Sequence, residues 1–458
     1  PGFAKENPVK KCVGMMLVVV AGAWSGPYGR AQETALEDQA AAALRKACAY
    51  MRSISTNGGY VGIYSEDLTR RYGEALYEKA APTEIWVQPP GTPSVGEAFL
   101  RAHRITGGQW YLSAAKDAAR ALAWGQRTTG GWDHRVYVGH LDPNAAHVVR
   151  RGQRCTFDDD ITQGALNFLI SLDEEIDEAW LTEAIELGFA FMMKSQFPNG
   201  AWPQWYPLRG GYHDYYTFND RAMNDCIELM LRGHRVYGRQ AYLDSAARGG
   251  DFIIVSQLPP PQAGWAQQYT HDLKPAWARR FEPPGVCSLV TVSNIHTLID
   301  LYLYTKDKKY LEPIPEAIAW LETSKMDSGR WARLYEVGTN RPIYGDREDG
   351  NKIHYDYEKI SEREKSSYGW QGDFGVPAVV ARYRRVVASG TTSAGSSRPP
   401  KAAGRPGRVS PALESRVRGV MEALDEEGRW LQDGMIHSGT FVRNVNLLCD
   451  CLQSASPR

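Results

Sequence analysis

Apolar residues recur every three to four positions along most of this chain, which is the spacing of one face of an α-helix. Few stretches alternate between apolar and polar residues, so the pattern favours helices over strands. Several of the helical stretches end at glycine or at a polar turn, as helices commonly do. The pattern predicts helices over residues 33–51, 94–107, 109–125, 160–172, 177–196, 221–238, 242–257, 288–306 and 315–325.

One element repeats along the chain. A helical stretch ends, a few polar residues follow, and then glycine and an aromatic residue appear, at Tyr60, Trp132, Trp202, Trp265 and Trp331. By subtraction, these aromatics are 63 to 72 residues apart, which leaves room for two helices and their loops. Since one such unit cannot bury its own apolar face, the units must stack or close on themselves. The sequence therefore predicts an all-α fold, a helical toroid with long loops gathered at one rim.

The N-terminal segment has the pattern of a secretory signal. Lys5, Lys10 and Lys11 precede a short apolar run that gives way to small residues. We expect a signal peptide over residues 1–31, with cleavage near Ala31, and a secreted or periplasmic protein; the alternative is a buried N-terminal helix. Export would permit disulfides among the six later cysteines, but buried free thiols are equally compatible with the sequence.

The composition changes again near the C-terminus. A Ser/Gly/Pro-rich segment over residues 388–410 predicts a linker or long loop after a toroid that spans residues 32–387. Residues 411–458 follow as a C-terminal helical extension. It contains a helix that leads to Trp430 and a last helix capped by Ser438. Two helices are too few for an independent domain, so we expect the extension to dock on the toroid.

Composition limits the possible partners. Lys+Arg and Asp+Glu both total 53, so no overall field attracts nucleic acid. The N-terminal apolar run is too short for a membrane span, and we expect a monomer without a nucleic-acid or membrane partner. The 14 Trp and 24 Tyr fill cores, but their flat faces also suit sugar rings.

Three consecutive aspartates, Asp158, Asp159 and Asp160, stand at the start of a predicted helix. Capping explains one or two of them. The remaining charge needs a cation, either arginine or a hard metal ion such as Ca²⁺, because an unpaired carboxylate is costly to bury. Asn219 and Asp220 stand at another predicted helix start, one repeat later. Stacked repeats would bring the two acidic helix starts together, which predicts a Ca²⁺ site.

Two basic loops follow later repeat aromatics. One contains Lys274, Arg279 and Arg280, and the other contains Arg341 and Arg347. Arginine binds carboxylates through two parallel hydrogen bonds, although surface salt bridges with nearby acids would explain some of these residues. A rim of carboxylates, arginines and aromatic rings suits an acidic sugar.

Four motifs resemble those of the family 10 polysaccharide lyases: TFDDD, QFPNGAWPQWYPLRGGYHDYYTFND, WARRFEPP and YEVGTNRPIYGDRED. The resemblance runs from about residue 37 to 384. It implies an (α/α)3-type toroid and an exported, Ca²⁺-dependent pectate lyase. Such an enzyme cleaves α-1,4-polygalacturonate by anti-β-elimination and leaves 4,5-unsaturated products.

The resemblance also implies roles for individual residues. Arg279 corresponds to the catalytic base and Asp159 to an acidic residue near the scissile bond. Asp220 corresponds to a Ca²⁺ ligand, and Asp158 and Asn219 stand beside it as further candidate ligands. The residues expected to bind substrate are Arg341, Arg347, Lys274, Trp202, Tyr216 and Asp160.

The chain departs from the family pattern in two places. GVCSLVTVSN follows WARRFEPP where a Ser/Gly/Glu-rich segment is expected, and EREKSSYGW stands where paired arginines are expected. Arg363 or Lys365 could replace one of these arginines. The departures concern substrate preference more than the type of reaction.

Other functions remain open at this point. A glycoside hydrolase acting on a uronic-acid polysaccharide would use Asp159 and Asp220 as its carboxylate pair. A triterpene-cyclase-like protein would share the aromatic repeats, but it would leave the basic loops unexplained. A non-catalytic pectin-binding module would not depend on Arg279 for turnover.

Overall fold

The computed structural model of the protein describes residues 28–139, 153–389 and 409–455. Residues 1–27 of the predicted signal peptide and residues 390–408 of the predicted linker lie outside this part of the chain. The described residues are predominantly helical. The helices are α1 Tyr28–Ser53, α2 Thr92–Thr106, α3 Gln109–Gly125, α4 Ile161–Asp173, α5 Ala179–Ser195, α6 Ala222–Tyr237, α7 Gln240–Val255, α8 Ser288–Thr305, α9 Ile314–Thr323, α10 Glu362–Ser367, α11 Val376–Ala388, α12 Pro411–Glu422 and α13 Ser438–Ala455.

Short antiparallel strands lie in the loops between the helices. The two larger sheets have the orders β16-β17-β1-β2 and β14-β13-β12-β10-β8. The strands are β1 Ile63–Ser65, β2 Arg71–Tyr72, β3 Glu84–Trp86, β4 Arg135–Tyr137, β5 Cys155–Thr156, β6 Trp205–Tyr206, β7 Tyr216–Thr217, β8 Trp265–Ala266, β9 Gln268–Tyr269, β10 Val286–Cys287, β11 Trp331–Ala332, β12 Leu334–Tyr335, β13 Pro342–Asp346, β14 Gly350–His354, β15 Gln371–Gly372, β16 Leu431–Gln432 and β17 Met435–His437.

The helices form an inner ring and an outer ring. Inner helices contact one another in the order α13, α2, α4, α6, α8, α11. Each inner helix is followed in the chain by an outer one, except α13, which packs against α1. The predicted all-α toroid is confirmed. Within the described residues, an inner helix packs against an outer helix in the pairs α2–α3, α4–α5, α6–α7, α8–α9 and α13–α1.

The C-terminal segment belongs to this ring. Helix α13 packs between α1 and α2, and α12 packs on α13 and α1. Strand β17 pairs with β1, with His437 opposite Ile63 and Met435 opposite Ser65. Residues 411–455 therefore pack on the toroid through α1 and α2, with α13 in the inner ring. The division into a toroid and a C-terminal extension stays a prediction.

The repeat tryptophans fix each loop to the helix before it. Each indole N–H donates to a backbone carbonyl near the end of an outer helix, at 2.6 to 2.9 Å. In two loops, a threonine hydroxyl of the next inner helix accepts from the backbone N–H of the same tryptophan, at 3.1 Å. The repeated Gly–aromatic pattern is therefore a loop anchor. The anchoring tryptophans are Trp132, Trp202, Trp265, Trp331 and Trp430.

The core lies between the two rings and is continuous around them. All six cysteines of the described residues are buried free thiols. Among the described residues, no helix is both long and apolar enough to cross a lipid bilayer. Fully buried residues that represent the core are Leu44, Phe99, Leu122, Leu166, Ile227 and Leu298.

Candidate active site

Two acidic turns lie side by side at the rim, at the N-termini of inner helices α4 and α6. They are the 3-10 turns Asp158–Asp160 and Asn219–Arg221, which contact each other. The last two residues of each turn have left-handed backbones, with φ of 48° and 56° in the first turn and 48° and 62° in the second. This conformation costs a non-glycine residue about 1–2 kcal/mol. Its occurrence in both turns indicates that the resulting side-chain directions serve a function.

Buried amide groups hold the two turns together. Gln163, on α4, donates from Nε2 to the carbonyl oxygens of Phe157, at 2.9 Å, and Ala222, at 3.0 Å. These carbonyls directly precede the first turn and directly follow the second. The backbone N–H of Asn219 donates to the carbonyl of Gln267, at 2.9 Å. The acidic turns are therefore fixed both to each other and to the loop of the next repeat.

The carboxylates in these turns repel one another. The pKa of Asp159 is raised to about 7 by partial burial and by the charges of Asp158 and Asp220. Asp220 is open to the solvent of the site, yet the protein around it and the charge of Asp158 raise its pKa to about 6, against the opposing charges of Arg333 and Arg279. Burial is also the main reason that the pKa of Asp158 is raised. Together, these groups would ionise more readily around a cation.

The same carboxylates fit a hard divalent ion. One ligand atom each from His134, Asp158 and Asp159 lies within 4.8 Å of the others. Asp220, in the neighbouring turn, lies close enough for its charge to raise the pKa of Asp159. Oδ1 of Asp158 is buried without a hydrogen-bond partner, so it is available as a ligand. Carboxylate oxygens are the donors that Ca²⁺ prefers, so Asp158 and Asp159 fit this ion, whereas the ring nitrogen of His134 does not.

Two arginines lie near the acidic turns. Arg279, between β9 and β10, binds both oxygens of Glu282 through Nε and Nη2, at 2.9 and 2.6 Å. Its guanidinium lies 4.9 Å from the ring centre of Phe281, and that of Arg347 lies 4.0 Å from the same ring. Arg347 also donates to Glu364, at 2.6 Å. The shared phenylalanine brings the arginines of two distant loops together.

Arg279 is held in its protonated form. Burial lowers its pKa, but the hydrogen bond and charge of Glu282, helped by Asp220, raise it well above the usual value. The charge of Arg279 in turn favours ionisation of Asp158 and Asp220. The structure thus places Arg279 on the same rim as both acidic turns.

A chain of hydrogen bonds connects Arg279 to the second acidic turn. The hydroxyl of Tyr368 donates to Glu282, at 2.6 Å. Gln267 Nε2 donates to the hydroxyl of Tyr368, at 3.1 Å, and also to Oδ1 of Asn219. Nδ2 of Asn219 donates to Oδ2 of Asp220, at 2.6 Å. Because both ends of its amide are engaged, Asn219 is placed to orient Asp220. Its predicted role as a metal ligand stays a prediction.

Two predicted sugar-binding aromatics belong to the core. Trp202 is 0% exposed and Tyr216 is 7% exposed. The indole N–H of Trp202 anchors a loop, and the ring of Tyr216 packs edge-on against Phe252. Neither ring can present a face to a sugar, so both predictions are wrong.

Two predicted basic residues make other contacts. Lys274 pairs with an aspartate of its own turn, at 2.6 Å, and its side chain is 77% exposed. The guanidinium of Arg341 stacks 4.1 Å from the ring of an exposed tyrosine. Within the described residues, neither forms a hydrogen bond or ion pair with the acidic turns. Their substrate contacts therefore stay predictions.

Asp160 lines a cavity of about 460 Å³ between α4 and α6. Asp159, Asp220 and Arg221 line the same cavity. Burial raises the pKa of Asp160 to about 6, and the charge of Arg221 opposes this rise. The cavity is thus continuous with the acidic turns and carries charges of both signs.

Several residues of the site share a position in the repeat, which neither the helical periodicity nor the charge pattern identifies. They stand two positions after a repeat aromatic, where the anchored loop reaches the rim. Gln204 hydrogen-bonds to Asp158, and Arg333 lowers the pKa of Asp220 by its charge. The residues at this position are Gly62, His134, Gln204, Gln267, Arg333 and Gln432.

Chelation is expected to destabilise the protein more at about pH 8 than at about pH 5. The pKa of Asp159 is raised from 3.8 to about 7, and that of Asp220 from 3.8 to about 6. Between pH 3.8 and these raised pKa values, the folded state therefore binds more protons than the unfolded state. Without a cation, stability therefore falls as pH rises through this window. Thermal unfolding, compared in EDTA and in excess CaCl₂ at both pH values, measures the stabilisation by Ca²⁺. We expect Ca²⁺ to raise Tm by several degrees at about pH 8 only. Equal shifts at both pH values would contradict the assignment.

A family model described as pectic acid lyase matches residues 126–328 and 324–379, more than half of the chain. A mutant family 10 polysaccharide lyase from Cellvibrio cellulosa, in complex with trigalacturonic acid, is similar with a TM-score of 0.50 and 20% identity, over 64% of this chain and 97% of that chain. An α-1,6-mannanase from Salegentibacter sp. HEL1_6 has a TM-score of 0.43 and 10% identity, over 90% of this chain and 98% of its own. No curated protein matches the chain.

Proposed function

The chain belongs to the pectic acid lyase family and is a polysaccharide lyase, and from this premise we propose that it is a Ca²⁺-dependent pectate lyase. Its substrate would be α-1,4-polygalacturonate, cleaved by anti-β-elimination to 4,5-unsaturated products. The observation that carries the proposal is the meeting of two acidic turns with Arg279 and Arg347 on one rim. The trigalacturonic acid in the Cellvibrio structure supports an acidic sugar as the ligand. Membership of a lyase family disfavours the alternative of a glycoside hydrolase.

Elimination removes the C5 proton of a uronate and breaks the bond from C4 to the glycosidic oxygen. A divalent cation held by Asp158, Asp159 and Asp220 would neutralise the substrate carboxylate as charge develops on it. Arg347 offers a guanidinium for the same carboxylate or for its neighbour along the polymer. The departing oxygen takes its proton from solvent.

Arg279 is proposed as the base that takes the C5 proton. Since its pair with Glu282 favours the protonated form, the base form arises when the pair opens or when the pH is alkaline. The nearby charges of the cation, Arg333 and Arg347 would also favour loss of the proton. This requirement predicts activity that rises above neutral pH.

Export would bring such an enzyme to its polymer. We propose a secreted or periplasmic location on the pattern of residues 1–31, most of which lies outside the described residues.

Absorbance of the unsaturated uronide band, followed on polygalacturonate, tests the proposed function. We expect an absorbing product in the presence of Ca²⁺, no product after EDTA, and recovery when Ca²⁺ is returned. Reducing ends measured in parallel are the control. New reducing ends without absorbance would indicate hydrolysis, and turnover that persists in EDTA would exclude the metal.

A further inference from the structure

A second cavity lies at the rim beside the first turns of α13. It measures about 170 Å³ and is bounded by β1, the loop after β2, and the start of α13. Its polar lining consists of Glu74, Gln432, His437, Thr440 and Arg443. The last four of these residues follow the end of the family match at residue 379, so the family resemblance assigns them no role.

Arg443 has an exposed side chain in this cavity. Its Nη2 donates to Oγ1 of Thr440, at 2.8 Å, and within the described residues its guanidinium has no ion pair with a carboxylate. Nη1 lies only 3.5 Å from where a Cβ on Gly439 would stand, so the guanidinium folds back over the N-terminal turn of α13. Both the guanidinium and the end of the helix favour an anion there.

The other polar groups of the cavity are oriented by hydrogen bonds. Thr440 is buried, and its hydroxyl donates to Oε1 of Gln432, at 2.9 Å. The acceptor end of this amide is thereby occupied, and its N–H donors stay available to a ligand. The cavity therefore offers donors from Gln432 and Arg443, which suits a carboxylate with neighbouring hydroxyl groups.

A short connection joins this cavity to the acidic turns. Nε2 of Gln88 donates to Glu74, in the cavity wall, and to Asp159, at 3.0 Å in both cases. Gln432 and Gly62 also stand two residues after a repeat aromatic, the position that reaches the active-site rim in other repeats. A Cβ on Gly62 would lie 2.1 Å from the carbonyl oxygen of Gly73, so this wall depends on a glycine. The cavity is thus the next recess along the rim from Asp159.

We propose that Arg443, with Gln432, forms a distal subsite that binds the carboxylate of a further galacturonate unit of the same polymer. This proposal rests on the proposed function. A polyuronate carries one carboxylate on every unit, so a chain bound at the acidic turns presents further carboxylates along the rim. The C-terminal segment would then contribute to substrate length preference, and only longer oligomers would reach Arg443.

The test is cleavage of galacturonate oligomers of increasing length by the full chain with Ca²⁺. Arg443→Gln removes the charge, Arg443→Lys keeps it, and Arg416→Gln is the matched control on the outer face of α12. For Arg443→Gln we expect kcat/KM on the hexamer to fall about 10-fold, mainly through KM, with the trimer unchanged. Arg443→Lys should retain most of the hexamer preference, and the Arg416 variant should match the wild-type chain.

The outcomes separate the subsite from the function. If Arg443→Gln keeps the full preference for the hexamer, or loses trimer and hexamer cleavage equally, the subsite is overturned while the lyase assignment stands. If the wild-type chain cleaves no oligomer of any length, the proposed function itself fails, and the subsite with it.

Discussion

Replacing Arg279 with alanine is expected to lower kcat on polygalacturonate by about 10³-fold, with KM changed less than about threefold. The proposed base lies in a half-exposed position beside the acidic turns, where substrate can reach it. Its loss removes the proton acceptor but leaves Asp159, Asp220 and Arg347 to hold the polymer. Initial rates from the unsaturated-product absorbance, across substrate concentrations, separate the two parameters.

The neighbouring Arg280 provides the matched control for this experiment. It is also exposed and stands in the same loop, so Arg280→Ala should keep near wild-type turnover. Because Arg279→Ala leaves the 3%-exposed Glu282 without its cationic partner, Arg279→Lys should be measured as a variant that retains a charge there. Near wild-type turnover in both Arg279 variants would remove this residue from the mechanism.

The pH profile distinguishes a base from a fixed positive charge at Arg279. Since Glu282 raises the pKa of Arg279, Glu282→Gln lowers it, and the base form then appears at lower pH. The rising limb of the profile should move towards neutrality if Arg279 is the base. Tyr368→Phe removes one hydrogen bond to Glu282 without changing charge, so it should shift the limb much less. A lower rate with an unmoved limb in Glu282→Gln would indicate an electrostatic role.

Replacing Asp220 with alanine is expected to lower kcat/KM by about 10²–10³-fold and to weaken the response to Ca²⁺. Asp220 is the carboxylate of the second acidic turn; the charge of Asp158 raises its pKa, and its own charge raises that of Asp159. Titration with Ca²⁺, followed by activity and by calorimetry, measures both effects. Added Ca²⁺ should recover only part of the lost activity.

An exposed acid of the same protein serves as the control for Asp220. Asp272 has a 60%-exposed side chain and pairs with Lys274 on a single turn, so Asp272→Asn should change neither activity nor Ca²⁺ affinity. Asn219→Ala, which removes the amide that orients Asp220, should give an intermediate loss. Unchanged Ca²⁺ affinity in Asp220→Ala would contradict its assignment as a ligand.

The helical period and the Gly–aromatic repeat determine much of the fold. Every helix predicted over the described residues is present, because a 3.6-residue period reports the apolar face of each helix directly. The periodicity predicts neither α10, which has only six residues, nor α11, whose C-terminal half contains the stretch RYRR. The strands were also missed, because most contain only two or three residues and show no alternation.

The sequence by itself indicated that the acidic helix starts and the basic loops belong to one rim, since each follows a repeat aromatic. Only the tertiary structure decided how these groups are paired. Glu282 pairs with Arg279 and favours its protonated form, and Gln267 donates a hydrogen bond to the amide oxygen of Asn219. Trp202 is buried in the core, so its ring cannot contact a sugar. The physical reason is that desolvation and hydrogen-bond partners come from segments far apart in the chain. A local sequence pattern predicts which residues could take part in the site. The contacts between repeats decide which of those side chains remain accessible to substrate.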